Sequence, residues 1–327
     1  MNAHPAIKGI HHITAIASSA AENLVFYRQV LGLRLVKRTV NFDDPYTYHL
    51  YYGDEDGSPG TIITFFPWAN LPPGRPGAGM VTSIAFAVPR RSLDFWRDRL
   101  GRHIPVTAGE TRFGAPVLPF KDPHGLDLEL VGVDSAPGSR PWTKGPIPEA
   151  HAITGFHSAT ARVQGLDPTR RLLTETMGMV PAGRQGNRFR FRMADGRVPG
   201  SVYDLLVDAQ ASAGLLGGGS VHHIAFRTPS GGEQRLWRAV LGDKGFSVTP
   251  VRDRKYFQSI YFSEPGGVLF EIATDSPGFD IDETKEGLGR TLTLPAQYEP
   301  IRAQIEAHLP PLRRDPAEAA PAAGAPG

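Results

Sequence analysis

The chain has 327 residues, with 35 Lys and Arg against 33 Asp and Glu and no cysteine. That length allows one to three domains, and the near-balanced charge gives no basic stripe for a nucleic acid to follow. The lack of cysteine excludes disulfides, thiolate nucleophiles and sulfur-ligated metals, so any metal must sit on His, Asp or Glu. No apolar stretch is long enough to span a bilayer, and the N-terminus lacks the basic and apolar regions of a secretory signal; a cytoplasmic protein without a membrane partner is expected.

In chain order, residues 9–17 (GIHHITAIA) alternate as a half-buried strand. Residues 20–32 (AAENLVFYRQVLG) have helical periodicity and end on Gly32. Further strands follow, the last beginning at the turn of residues 57–66 (GSPGTIITFF). The same order then recurs three times. Residues 81–88 (VTSIAFAV), 155–163 (GFHSATARV) and 221–228 (VHHIAFRT) are the first strands. Residues 90–101, 167–178 and 232–245 are the helices, and DPHG, VPG and EPGG mark the last turns. Gly- and Pro-rich linkers at 71–79, 135–148 and 210–220 separate the units. The boundaries are 7–70, 80–135, 151–210 and 220–276 for modules one to four. A C-terminal extension at 277–314 contains a helix near residues 299–308, and the Pro/Ala/Gly-rich tail at 315–327 lacks a core and reads as disordered.

One such unit leaves a sheet face uncovered, so units must pair around a cavity. The expected fold is α+β, with four βαβββ modules pairing into two curved half-barrel sheets. Superposing the first strands puts His12 and His223 over Ser158 and Ser83. Superposing the last strands on the turn prolines puts Glu271 over Glu129, Phe65 and Leu205. Units one and four together thus offer two His-His doublets and one Glu, and they are expected to share the metal-bearing barrel. Units two and three offer two serines and Glu129. Two imidazoles and one carboxylate suit Fe(II), Mn(II) or Zn(II) and leave adjacent coordination positions open. A lone strand His is commonly a packed residue, but doublets at equivalent repeat positions are harder to explain that way. A Glu inside LFEIA is costly to bury unless paired or metal-bound. Alternation puts the two members of each doublet on opposite faces and does not say which faces inward. Tyr261 lies on the strand before Glu271 and Arg254 shortly before it; a phenol can exchange protons there and a guanidinium can stabilise an anion. Phe65, Phe66, Trp68, Phe257 and Phe262 are either pocket walls or sheet core.

The fourfold pattern, over residues 7–276, resembles the vicinal oxygen chelate superfamily of glyoxalases and extradiol dioxygenases. The strings IHHIT, VKRTVNFDDPYTYHLYYGDEDGSPGTIITFFPW, VHHIAF, DRKYFQSIYF and PGGVLFEIATD are similar to those of hydroquinone ring-cleaving dioxygenases. That resemblance implies His12, His223 and Glu271 as metal ligands, with His11, His222, Arg254 and Tyr261 facing the substrate. It implies Fe(II), with Mn(II) as the alternative, and a small aromatic substrate opened with O2. Ser158 departs from the catechol-cleaving pattern, in which the third unit supplies a ligand. A glyoxalase-type isomerase or lyase, or a non-catalytic aromatic- or drug-binding protein, are the alternatives on this fold. A homo-oligomer is compatible with all three.

Overall fold

The computed structural model describes residues 5–134, 138, 140–193 and 198–312; the tail at 315–327 lies outside them. The strands, in chain order, are β1 (Ile10–Ala17), β2 (Arg34–Asn41), β3 (Asp44–Gly53), β4 (Ile62–Pro67), β5 (Met80–Pro89), β6 (Glu110–Arg112), β7 (Ala115–Lys121), β8 (Asp127–Val133), β9 (Phe156–Val163), β10 (Val180–Gln185), β11 (Arg188–Arg192), β12 (Val202–Val207), β13 (Val221–Thr228), β14 (Arg252–Asp253), β15 (Phe257–Ser263) and β16 (Leu269–Pro277). The helices are α1 (Ala20–Val25), α2 (Leu93–Gly101), α3 (Asp167–Arg171), α4 (Gly231–Asp243) and α5 (Arg302–His308). Helices α1 and α3 each continue into a π turn, at Phe26–Val30 and Leu172–Thr176, a widening that the 3.6-residue pattern did not reveal. The C-terminal helix is shorter than expected; a 3₁₀ stretch over Ala296–Ile301 leads into it.

Two eight-stranded sheets form. One runs β14-β15-β16-β13-β1-β4-β3-β2 and joins units four and one; the other runs β10-β11-β12-β9-β5-β8-β7-β6 and joins units three and two. In each, the two first strands meet antiparallel at the centre, and each pairs in parallel with the last strand of its own unit. Helices cover the outer faces through buried anchors. Trp96 of α2 and Trp237 of α4 are fully buried, as are Leu100 and Leu241. Each such leucine contributes about 2 kcal/mol by leaving water.

The acidic residue before each longer turn is structural. Asp122 accepts from the backbone of His124 and Leu126, at 2.8 and 2.9 Å, and Glu264 accepts from that of Val268 at 3.0 Å. The two shorter Pro-Gly turns, of units one and three, lie where the sheets meet. The Gly60 carbonyl accepts from Phe156 N at 2.8 Å and the Gly200 carbonyl from Ile10 N at 2.9 Å. Gly60 has φ +91, and a Cβ there would stand 2.6 Å from the Pro199 carbonyl oxygen. Close approach of two backbones requires glycine at this joint.

These shorter turns correct the alignment of the last strands. Ala225 pairs with Glu271 and Ala85 with Glu129, six residues past the turn proline. The equivalent partners in units one and three are Thr64, opposite Thr14, and Asp204, opposite Thr160. Both fall five residues past the proline, because the turn is one residue shorter. Phe65 and Leu205 point to the other face, into the hydrophobic core.

Candidate metal centre

His12, His223 and Glu271 converge from β1, β13 and β16. All three are buried, and their ligating atoms lie within 4.8 Å of one another. His223 Nε2 stands 2.9 Å and His12 Nε2 3.4 Å from Glu271 Oε2. That oxygen is buried and accepts no well-aligned hydrogen bond. Oε1 is occupied by the Ser259 hydroxyl, which donates to it. A buried carboxylate oxygen left unsatisfied between two imidazole nitrogens is a costly arrangement unless a cation completes it. The residues therefore fit a divalent metal.

Alternation placed the doublet members on opposite faces; the structure does not. The β1–β13 ladder slips between Ile10 and His12, and again opposite His222, so His11 and His222 are each the extra residue of a β-bulge. The bulge brings each doublet's rings together. His11 Nδ1 lies 2.9 Å from His12 Nδ1, and His222 Nδ1 lies 2.8 Å from His223 Nδ1. For His12 and His223 to present Nε2 lone pairs, their protons must sit on Nδ1 and donate to the neighbour, which must be neutral. Burial and the neighbouring His12 hold His11 well below the usual imidazole range. Burial and His223 push His222 down to about 4. Burial alone would raise Glu271, but the His12 and His223 imidazoles override it and hold the carboxyl well below its usual range.

The cavity around these ligands has a volume of about 250 Å³. His222, Arg254 and Tyr261 line it; His11 does not and stands behind His12 and Phe257. Phe66 and Phe257 supply apolar wall. Phe65 and Phe262 are core, and Trp68 packs on Phe66. Arg254 Nε donates to the Tyr261 oxygen at 3.2 Å, and its Nη1 reaches Asp43 of the β2–β3 turn at 3.1 Å. Burial raises the Tyr261 phenol and Glu271 raises it further, against Arg254; Tyr261 is thus neutral near pH 7 and holds a proton to donate. Among the cavity residues not singled out from the sequence are His49 and Tyr51. Aligning the meander strands of units one and four would have found them, because Tyr51 opposes Thr64 as Tyr261 opposes Glu271.

The second barrel keeps the bulges, at Thr82 and His157, but not the ligands. Ser83 and Ser158 replace the imidazoles. Glu129 is joined there by Asp204, the carboxylate that the turn-proline alignment missed. Arginines supply the positive charge instead: Arg112 Nη1 contacts Glu129 at 2.6 Å, and Arg190 binds Asp204 in a bidentate pair at 2.9 Å. Both carboxylates are neutralised without a metal.

The sequence matches the Glyoxalase/Bleomycin resistance protein/Dioxygenase superfamily over residues 9–130 and 81–272, in keeping with two sheets of paired repeat units. The chain belongs to that superfamily. Within it, the chain is 49% identical over 93% of its length to MhqO of Bacillus subtilis (strain 168), which bears the provisional name of a ring-cleaving dioxygenase and is covered over 96%. It is 34% identical over 91% of its length to the chlorohydroquinone/hydroquinone 1,2-dioxygenase of Sphingobium indicum, covered over 95%. A crystal structure of a provisionally named Bacillus subtilis dioxygenase superposes with a TM-score of 0.91 at 48% identity, covering 95% of this chain and 99% of the other. Maize glyoxalase I, at 13% identity and a TM-score of 0.61 over 82% of this chain and 92% of its own, shares the fold.

Proposed function

We propose that the protein is a ring-cleaving dioxygenase that opens a hydroquinone or substituted hydroquinone with O2, using one divalent metal, Fe(II), held by His12, His223 and Glu271. The observation that carries this reading is the buried, unsatisfied Glu271 Oε2 between two imidazoles, inside a cavity of ring size with aromatic walls. Relatives named as ring-cleaving dioxygenases over nearly the whole chain support the reaction class.

The metal, when bound, would supply the Lewis acidity and electron relay that let O2 react with an aromatic ring. The protein's own groups do the rest. His11 and His222 fix the tautomer and orientation of the ligating rings. Tyr261 stands at the ligand end of the cavity, neutral, with a proton to give or take. Arg254 holds the Tyr261 oxygen and places a positive charge where the substrate's hydroxyl would lose its proton. Phe66 and Phe257 keep the ring in a dry slot, which strengthens every charge interaction there. A glyoxalase-type isomerase would need neither O2 nor the Tyr261–Arg254 pair.

Anaerobic reconstitution with Fe(II), followed by oxygen-electrode assays on hydroquinone and catechol, tests the proposal. Uptake of one O2 per hydroquinone opened, with little on catechol, is expected. No O2 consumption with any hydroquinone, or equal ligand binding by metal-free and metal-loaded protein, would refute it.

A further inference from the structure

The cavity is built on a pseudo-twofold that leaves a second phenol opposite Tyr261. One row across the sheet runs His12, Ala225, Glu271, Tyr261. Its counterpart runs His223, Thr14, Thr64, Tyr51. In each row a ligating histidine is followed two strands on by the Glu271 or Thr64 position, and one strand further by a tyrosine. Because the acid is in the first row only, the metal end lies on the Tyr261 side. Tyr51, on β3, is buried and lines the cavity from the other side of the β1–β13 pair. Five strand spacings separate β3 from β15 around the curled sheet. A flat sheet would put them roughly 24 Å apart, and curling brings both tyrosines to one cavity.

The hydrogen bonds around Tyr51 define what it can do. Thr64 Oγ1 donates to Thr14 Oγ1 at 2.9 Å, so it must accept from His49 Nε2, 2.8 Å away. His49 is buried among His12, His223 and Arg254, and burial first, then those charges, hold it neutral. A neutral imidazole with its proton on Nε2 has only a lone pair on Nδ1. The Tyr51 hydroxyl, 2.8 Å from Nδ1, therefore donates its hydrogen to His49. What remains on the Tyr51 oxygen is acceptor capacity. Tyr261 is the converse: its oxygen already accepts from Arg254, and its own hydrogen can be donated. The cavity thus has a hydrogen-bond donor on its β15 side, in the row of Glu271, and an acceptor on its β3 side, in the row of Thr64.

Resting on the ring-cleaving reading above, we propose that Tyr51, held by His49, is the specificity subsite for the second, distal hydroxyl of a para-dihydroxy aromatic, accepting its hydrogen bond. The fit is chemical. A para-diol bound by one oxygen at the metal end still carries a neutral O–H at the opposite end of the ring, which is a donor and requires an acceptor. A phenol with no such hydroxyl leaves the Tyr51 oxygen unpaired in an apolar slot, and that penalty makes the discrimination.

The test compares binding of hydroquinone, phenol and 4-fluorophenol to the metal-loaded enzyme without O2, by calorimetry, in the wild type and in Tyr51→Phe. Wild-type enzyme should bind hydroquinone on the order of tenfold tighter than either monophenol. In Tyr51→Phe that preference should vanish, with phenol affinity little changed, and KM for hydroquinone should rise more than kcat falls. The wild-type comparison stands even if the variant folds poorly, since 4-fluorophenol fills the same space without a hydrogen to donate. Equal wild-type affinity for hydroquinone and 4-fluorophenol, or an undiminished preference in Tyr51→Phe, overturns the assignment. Hydroquinone preference without O2 uptake would instead remove the ring-cleaving reading and leave the Tyr51 subsite standing.

Discussion

Replacing Glu271 by Gln separates the metal's contribution from that of the fold. The side chain is completely buried, and Gln keeps its shape and its oxygen facing the Ser259 hydroxyl. In the wild type, a cation at about a hundred times its Kd stabilises the native state by about 2.7 kcal/mol. For a chain of this size that is a rise in melting temperature of roughly 4 °C. In the variant the only anionic ligand is gone, and the metal-induced rise should shrink to about 1 °C or less at the same metal concentration. The metal-free variant should melt within a few degrees of the metal-free wild type, because a neutral amide is cheaper to bury than a carboxylate. The assay is a pair of anaerobic thermal melts, with and without Fe(II) or Mn(II). An undiminished metal-induced rise in Glu271→Gln would show that the ion binds elsewhere and that the three-residue centre is misassigned.

Tyr261→Phe should lower kcat on the order of a hundredfold while metal content, read by elemental analysis, stays at the wild-type level; loss of metal would count against a proton-handling role. Arg112→Met leaves Glu129 buried without its 2.6 Å partner and should cost about 3 kcal/mol in urea unfolding, with metal content unaltered. Adding Glu129→Gln to that variant should restore most of the loss, and failure to do so would mean that the arginine acts through packing. Stability of the metal-free protein should fall on the acid side. His157 and His222 titrate at about 4 in the folded state, against about 6.5 when unfolded. The unfolded chain therefore takes up these protons first, so their contribution is whole above pH 6.5 and is lost as pH falls toward 4. Each group adds a slope of up to about 1.4 kcal/mol per pH unit. Chemical denaturation at pH 7.5 and 5.5 checks this, and equal stability at the two would mean these imidazoles are not held neutral.

Much of this protein was written in its repeats. Four strand–helix–meander units, the terminal glycines of the helices and the Gly/Pro turns are local features, set by backbone preferences and apolar periodicity. They sufficed to expect two sheets and to bring two His-His doublets and Glu271, from distant parts of the chain, to one place; the choice of His12 and His223 within the doublets came from the family resemblance. Three features were not local. The bulges at His11 and His222 depend on how β1 and β13 pair, so alternation within either strand misjudged which rings could meet. The one-residue difference between Pro-Gly and the longer turns became visible only in strand register, which moved Asp204 and Thr64 onto the cavity face and sent Leu205 and Phe65 to the core. The His49–Tyr51 pair gained its meaning from the curling of the sheet, which carries β3 round to face β15. Sequence determined the kinds of residue and their spacing along each strand. Tertiary structure decided which nitrogen faces the ligand position and which phenol accepts, because hydrogen-bond direction is set by partners that only the closed sheet brings within reach.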